Sequence, residues 1–539
     1  MTSSTEERPV AAARGMAKLT DAQLALLVSA VLFVLCAWPI ALTEVPPYQD
    51  LPNHLAAVVV MENPSRYPEF AFNGFFKTNA ALFAWLYLFG KVTTLEMGAR
   101  LFSLLVLGAN AYVLPRFVLA LTGSRKRMLV ASLFMWPMVH NWFVSTGMLD
   151  FALAIPLSLG MLIAVDRQRR APTPGNGIAI AVLGALTWYA HVFPLLVVHL
   201  LLLIEAIVRA RGREPRSERL TTRAVLLPLA PVTALVAASL FGQLTDKIGP
   251  MSGGVDYRTM LPVWDLAYNM WAEWFYGFSK LSVTSIVPCL VLAWIGVTRR
   301  KESAPFFSPY ALLALGLLYG FCPYIVTNWF HVNSRLIPYI WIGLLLRVPE
   351  RLPRALAGLL GISAALYSAG MGADFVRLER DRREFIAGIP AVPDGARLLP
   401  LLFNHKATSD NTRNVLHLWG YYVLAKHTAA PLLFAHSHSF PVIYTAPPPP
   451  RFNHLVLESF AVNARDPGAV CKRLFEGNVI VNDCDAAFRS LWSGFWDEAT
   501  PRYDYVLVWD GTPSARAVIP TAYVPVFEQG RLAIFARSP

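Results

Sequence analysis

The chain has 539 residues, 55% of them hydrophobic and only 15% charged, with a mean hydropathy of +0.45. That composition excludes an ordinary soluble protein and fits a polytopic membrane protein. The net charge of +12 does not point to nucleic acid, because Lys and Arg fall in short clusters between apolar runs, where membrane topology puts them.

A polar tail, 1–20, precedes the first apolar run at 22–43. That run is too long for a signal-peptide core and reads as a signal anchor, with no cleavable signal peptide evident. Just after it stand Tyr48-Gln49-Asp50-Leu51-Pro52-Asn53-His54. An acid beside hydrocarbon is expensive unless something uses it, so Asp50 is a functional candidate. It suits the N-cap of a helix starting at Leu51-Pro52, which puts His54 one turn away on the same face. Two readings stay open: a cap with an interfacial histidine, or a general base at the outer membrane surface. Glu44 and Glu62 are second carboxylates or ordinary solvated ones. Residues 79–95, with Phe83, Trp85 and Tyr87, are apolar enough to count as a span. Counting them would put Arg125-Lys126-Arg127 outside. They are therefore read as an interfacial or re-entrant helix within a first external loop, 44–96.

Further spans are expected at 97–121, 128–144, 148–165, 177–190, 192–208, 224–243, 282–298, 308–327, 335–347 and 354–371, about eleven in all. The basic clusters at 125–127, 167–170, 209–223, 299–301 and 347–354 are then cytoplasmic, with the N-terminus inside and the C-terminus outside. The external turns carry the remaining polar candidates. His140 to Gly147 joins the third and fourth spans. There Asn141 and Asp150 are either pore-lining groups or partners in a hydrogen-bonded hairpin. His191, within Trp188 to Pro194, is structural or substrate-facing. Trp264 to Lys280 mixes rings with polar groups, including Trp271, Glu273 and Tyr276, and suits either sugar faces or an interfacial belt. Asn328 to Arg335 contributes His331 and Arg335. The guanidinium of Arg335 either binds phosphate through its fork of donors or snorkels to the interface.

Residues 375–539 lack a further span and read as an extracytoplasmic α/β domain. Expected there are a buried strand at 504–510, a turn at 511–513, a stiff Pro447 to Pro450 connector and a terminal hairpin at 527–535. His405, His417, His427, His436, His438 and His454 lie in this part, and His436-Ser437-His438 hints weakly at a metal site. Cys36, Cys289 and Cys322 fall in apolar runs as small core residues. Cys471 and Cys484 suit a disulfide if their domain is external. No internal repeat, Walker loop, dinucleotide fingerprint or metalloprotease motif is present.

Four features together resemble the GT-C superfamily of polytopic glycosyltransferases. They are Asp50-Leu51-Pro52-Asn53-His54 after the first span, the loop helix followed by Met97 to Ser103, the pair Tyr189-Ala190-His191 and His331 to Arg335, and the soluble C-terminal domain. The first element is similar to that of a bacterial group with Asp-x-Pro-Asn-His in its first external loop. The resemblance implies an inverting enzyme of the bacterial plasma membrane. It would move a sugar from a polyprenyl-phosphate donor to an acceptor hydroxyl on a glycan, lipid or protein. It implies Asp50 as the catalytic carboxylate with His54 beside it, and Arg335 at the lipid phosphate. His331, Asn141, His191, Trp271 and Tyr276 are the further substrate-binding candidates. Many members carry adjacent acids, whereas Asp50 stands between Gln49 and Leu51, so a divalent metal is left open. The rival reading is a transporter or lipid-handling protein of the cell envelope. Polar residues cluster at external span ends rather than inside spans, which favours the enzyme.

Overall fold

The computed structural model describes residues 19–211, 216–245, 255–256, 263–326, 331–435, 438–446, 448–449, 494–511 and 519–538, with Arg516 and a few residues from 452 to 458. Cys471, Cys484, His436 and part of the Pro447 to Pro450 connector lie outside these residues.

Thr20 starts the first helix, Asp21–Ala37, with a capping box. Its hydroxyl accepts from the Gln23 N–H at 3.2 Å, and the Gln23 side chain accepts from the Thr20 N–H at 2.9 Å. Seven helices among the described residues are long and apolar enough to cross a bilayer: Asp21–Leu42, Leu95–Thr122, Leu149–Arg170, Val192–Arg211, Ala224–Gly242, Lys280–Thr298 and Arg354–Ala391. Leu26, Val34, Leu290, Trp294 and Ile362 point outward from them, as lipid-facing side chains do. The chain is an integral membrane protein. Leu149–Arg170 is its central post, with 89% of its apolar window buried, whereas Ala224–Gly242 is peripheral at 22%.

The other expected spans take different forms. The 128–144 run is a pair, Arg125–Ser132 and Trp136–Ser145, bent by 73°. Pro137 starts the second piece, where a ring without an N–H does no harm. The runs at 308–327 and 335–347 become Pro309–Phe321 and Ser334–Leu345. A 13-residue helix is about 20 Å long, against about 30 Å of hydrocarbon. The run at 177–190 is the 17-residue helix Pro174–Ala190. The interfacial segment is Ala81–Gly90, which at about 15 Å is too short to cross.

The helix Arg354–Ile386 runs through position 375, where the sequence suggests that the membrane part ends. Its 33 residues span about 50 Å, so its charged end projects well beyond one hydrocarbon layer. A mixed four-stranded sheet packs on that end, in the order Leu398–Leu402, Tyr505–Trp509, Leu532–Arg537, Tyr523–Gln529. The first pair is parallel and the other two are antiparallel. The buried strand and terminal hairpin therefore lie where the apolar pattern puts them. Arg531 joins sheet to helix, 2.6 Å from both Asp381 and Glu384. The Trp509 and Phe385 rings meet at 5.2 Å.

The first loop is stitched to the C-terminal part. Phe70–Phe72 pairs antiparallel with Val442–Tyr444. Arg66 meets Asp394 at 2.7 Å, the Tyr67 hydroxyl donates to the Thr428 carbonyl at 3.1 Å, and Asn73 donates to the His438 carbonyl at 3.0 Å. These bonds close a roof over one end of the helical bundle.

Candidate active site

Under this roof lies a cavity of about 250 Å³. Asp50, His54, His191, His331 and Arg335 line it, with Asp150 and Phe151 from the central helix and Arg413, His417 and Glu458 from the C-terminal part. Five of the eight expected site residues therefore face one space, although they lie far apart in sequence.

Asp50 sits just before the helix Leu51–Glu62 with φ −89° and ψ −9°, and its carboxylate makes no cap hydrogen bond. Pro52 in the first turn needs no amide partner, so the helix starts without that service. The carboxylate instead turns into the cavity, where Oδ1 accepts from the Gln49 side chain at 2.9 Å and lies 3.4 Å from His417 Nε2. Its backbone is clamped from below: Asp50 N–H donates to the Thr146 carbonyl at 3.0 Å and Gln49 N–H to the Ser145 carbonyl at 3.2 Å. Gly147 makes this approach possible. It adopts φ +84°, and a Cβ there would lie 2.8 Å from the Asp50 nitrogen.

His54 is buried beneath Asp50, with the Phe83 ring edge-on at 5.0 Å. Burial lowers its pKa to about 4, against the opposing pull of Asp50. It is a neutral ring at pH 7. Burial pushes the Glu458 carboxyl the other way, up to about 7, with Asp50 adding to the rise.

Arg335 is 8% exposed. One guanidinium nitrogen lies 2.6 Å from His191 Nε2, and the Phe151 and Phe193 rings lie 5.4 and 6.0 Å from the guanidinium carbon. His191 in turn accepts from the Phe193 N–H through Nδ1 at 3.1 Å. His331 holds a left-handed backbone, φ +57°, which is rare outside glycine and is kept here by close partners. Its ring meets the Tyr324 hydroxyl and lies 3.3 Å from Glu273, while Glu273 also accepts from Ser334. Glu273 thus braces the turn that carries Arg335.

Asp150 has one oxygen engaged: Oδ1 accepts the Leu82 N–H at 2.8 Å and so caps the helix Ala81–Gly90 from a neighbouring element. The remaining expected residues lie elsewhere. Asn141 is fully buried, accepts from the Val144 N–H at 3.3 Å and donates to the Met138 carbonyl at 3.0 Å, which makes it the cap of a short helix rather than a cavity wall. Trp271 and Tyr276 stack on each other at 4.5 Å, and Trp271 donates to Ser285, so this pair packs its own turn away from the cavity. Glu44 pairs with Arg382 and Glu62 with Lys91, both outside the cavity lining. Among the described residues, no group of three or more His, Cys, Asp or Glu side chains is placed to hold a metal ion. Arg413 and Glu458 are not marked out in the sequence, and His417 stands out there only as one of several C-terminal histidines. All three come from the C-terminal part, and isolated polar residues in a polar stretch carry no signal of what they will face.

No family model and no curated protein matches the chain. Among solved structures it is similar to ArnT from Cupriavidus metallidurans bound to undecaprenyl phosphate, at 12% identity and a TM-score of 0.49, over 95% of this chain and 97% of that one. It is also similar to the arabinofuranosyltransferase AftD from Mycobacteria in two cryo-EM structures. Both are 15% identical, with TM-scores of 0.49 and 0.46, over 96% and 97% of this chain but only 42% and 40% of theirs. Overlap at this level assigns neither family nor activity, so function rests on the geometry of the site.

Proposed function

We propose that the chain is a membrane glycosyltransferase of GT-C type, moving a sugar from a polyprenyl-phosphate donor to an acceptor hydroxyl. The observation that carries this reading is the shared cavity of Asp50 and Arg335, a carboxylate released from capping and a buried guanidinium. Asp50 is the general base. It takes the proton of the acceptor oxygen as that oxygen attacks the anomeric carbon, and the bond to phosphate breaks with its electron pair passing to the phosphate oxygen. Arg335 meets the negative charge that grows on this leaving group, in a site where few water dipoles compete. Glu273 and His331 hold the turn that aims it. His54, neutral and apolar-packed, shapes the floor under Asp50 and carries no charge at pH 7.

A transporter has no need of a base beside a phosphate site. Reconstituted protein supplied with radiolabelled polyprenyl-phosphate sugars separates the two. Label appearing in a new glycosidic product, released from polyprenyl phosphate, is the expected result. Label crossing the bilayer still attached to its lipid would overturn the proposal.

A further inference from the structure

The C-terminal part supplies more than a roof. His417 is fully buried, and its ring stands between Asp50 and Asn53, with Phe434 edge-on at 4.8 Å. Asn53 is the key to the ring's protonation. Its amide cannot be flipped freely, because two backbone groups read both ends of it: Nδ2 donates to the Leu432 carbonyl at 2.9 Å, and Oδ1 accepts from the Phe434 N–H at 3.2 Å. With that orientation fixed, a donor, Nδ2, faces His417 Nδ1 at 3.5 Å. Nδ1 must then present its lone pair, and a neutral imidazole carries its one proton on Nε2. Nε2 makes no hydrogen bond in this structure, and the nearest acceptor it faces is Asp50 Oδ1, 3.4 Å away.

We infer that His417 is a positioning residue for the catalytic carboxylate. The segment 432–434 fixes Asn53, Asn53 fixes the tautomer of His417, and His417 aims an otherwise unpartnered Nε2–H at Asp50. With substrate bound, that contact tightens to a hydrogen bond, which holds Asp50 in the rotamer that faces the cavity and leaves Oδ2 for the acceptor hydroxyl. This also gives the Asp50-Leu51-Pro52-Asn53-His54 run an internal logic. Its first acid acts and its asparagine sets the partner that orients it. Its proline carbonyl packs against Gly420, three residues beyond His417. The inference rests on the glycosyltransferase reading, and it makes the C-terminal part a component of the active site.

The test compares His417→Ala, His417→Gln and Asp50→Asn in full-length reconstituted protein. Readouts are sugar transfer, the affinity for polyprenyl phosphate used as a probe, and melting temperature. His417→Ala is expected to lower kcat about 10-fold to 100-fold, the scale at which loss of orientation acts, with polyprenyl-phosphate affinity unchanged. His417→Gln, whose amide donates from nearly the same position, restores most of the rate. Wild-type kcat in His417→Ala, or no rescue by His417→Gln in a protein with wild-type melting temperature, overturns the inference. If Asp50→Asn is inactive while His417→Ala is unimpaired, only the positioning role falls. If Asp50→Asn itself keeps full activity, the underlying reading falls instead.

Discussion

At the scale of single residues, the site depends on backbone positions as much as on charged groups. Gly147→Ala places a methyl group against the Asp50 nitrogen and forces a left-handed conformation on a residue with a Cβ. The expected outcome is a loss of about 1–3 kcal/mol in stability and a fall in transfer that exceeds any fall in polyprenyl-phosphate binding, measured side by side. Arg335→Lys keeps the charge but not the fork, and polyprenyl-phosphate affinity should drop about tenfold in a binding titration. Two buried groups give stability opposite pH dependences. His54 titrates near 4 in the fold and near 6.5 unfolded, so the unfolded chain takes up the proton first and stability falls as pH drops through that window. Glu458 is raised to about 7, so its contribution is present at low pH and is lost as pH rises through about 7. In melting curves from pH 7 to pH 5, His54→Gln should therefore lose less stability than the wild type. Asp50 and Arg335 were legible in the sequence because each stands out against apolar surroundings. His417 was not, because one histidine among several in a polar stretch carries no mark of its partner.

At the scale of elements, the apolar runs located the helices well and their lengths less well. Composition reveals that a segment is buried or lipid-facing. It does not reveal a 73° bend or a helix that stops at 13 residues, because both are settled by neighbours and by proline placement. The loop helix Ala81–Gly90 shows the same limit. Its own N-cap, Ala80, offers no side-chain acceptor, and the cap comes from Asp150 on the central helix. No local pattern announces a cap supplied from another element. Asp150→Ala should cost about 1 kcal/mol through loss of that cap, read as a lower melting temperature, whereas Asp150→Asn keeps a carbonyl acceptor and should stay close to wild type. This pair separates a scaffolding acid from a catalytic one: Asp150→Asn is expected to retain transfer. The strand pairing of Phe70–Phe72 with Val442–Tyr444 was equally hidden, since strands of three residues lie below the length at which alternation can be read.

At the scale of the whole molecule, a bundle of apolar helices and a C-terminal sheet are joined by one long helix and by the first loop, and the cavity lies where these parts meet. The long helix carries the sheet on its charged end, and the roof bonds bring Asp50 from the first loop, Arg335 from the helical part and His417 from the C-terminal part to one space. In the proposed reaction Asp50 is the base for sugar transfer and Arg335 holds the phosphate. The decisive measurement is transfer by Asp50→Asn in reconstituted protein given a radiolabelled polyprenyl-phosphate sugar that the wild type uses. Transfer should fall about 10²-fold to 10⁴-fold with polyprenyl-phosphate affinity unchanged. Undiminished formation of the glycosidic product by Asp50→Asn would rule Asp50 out as the base.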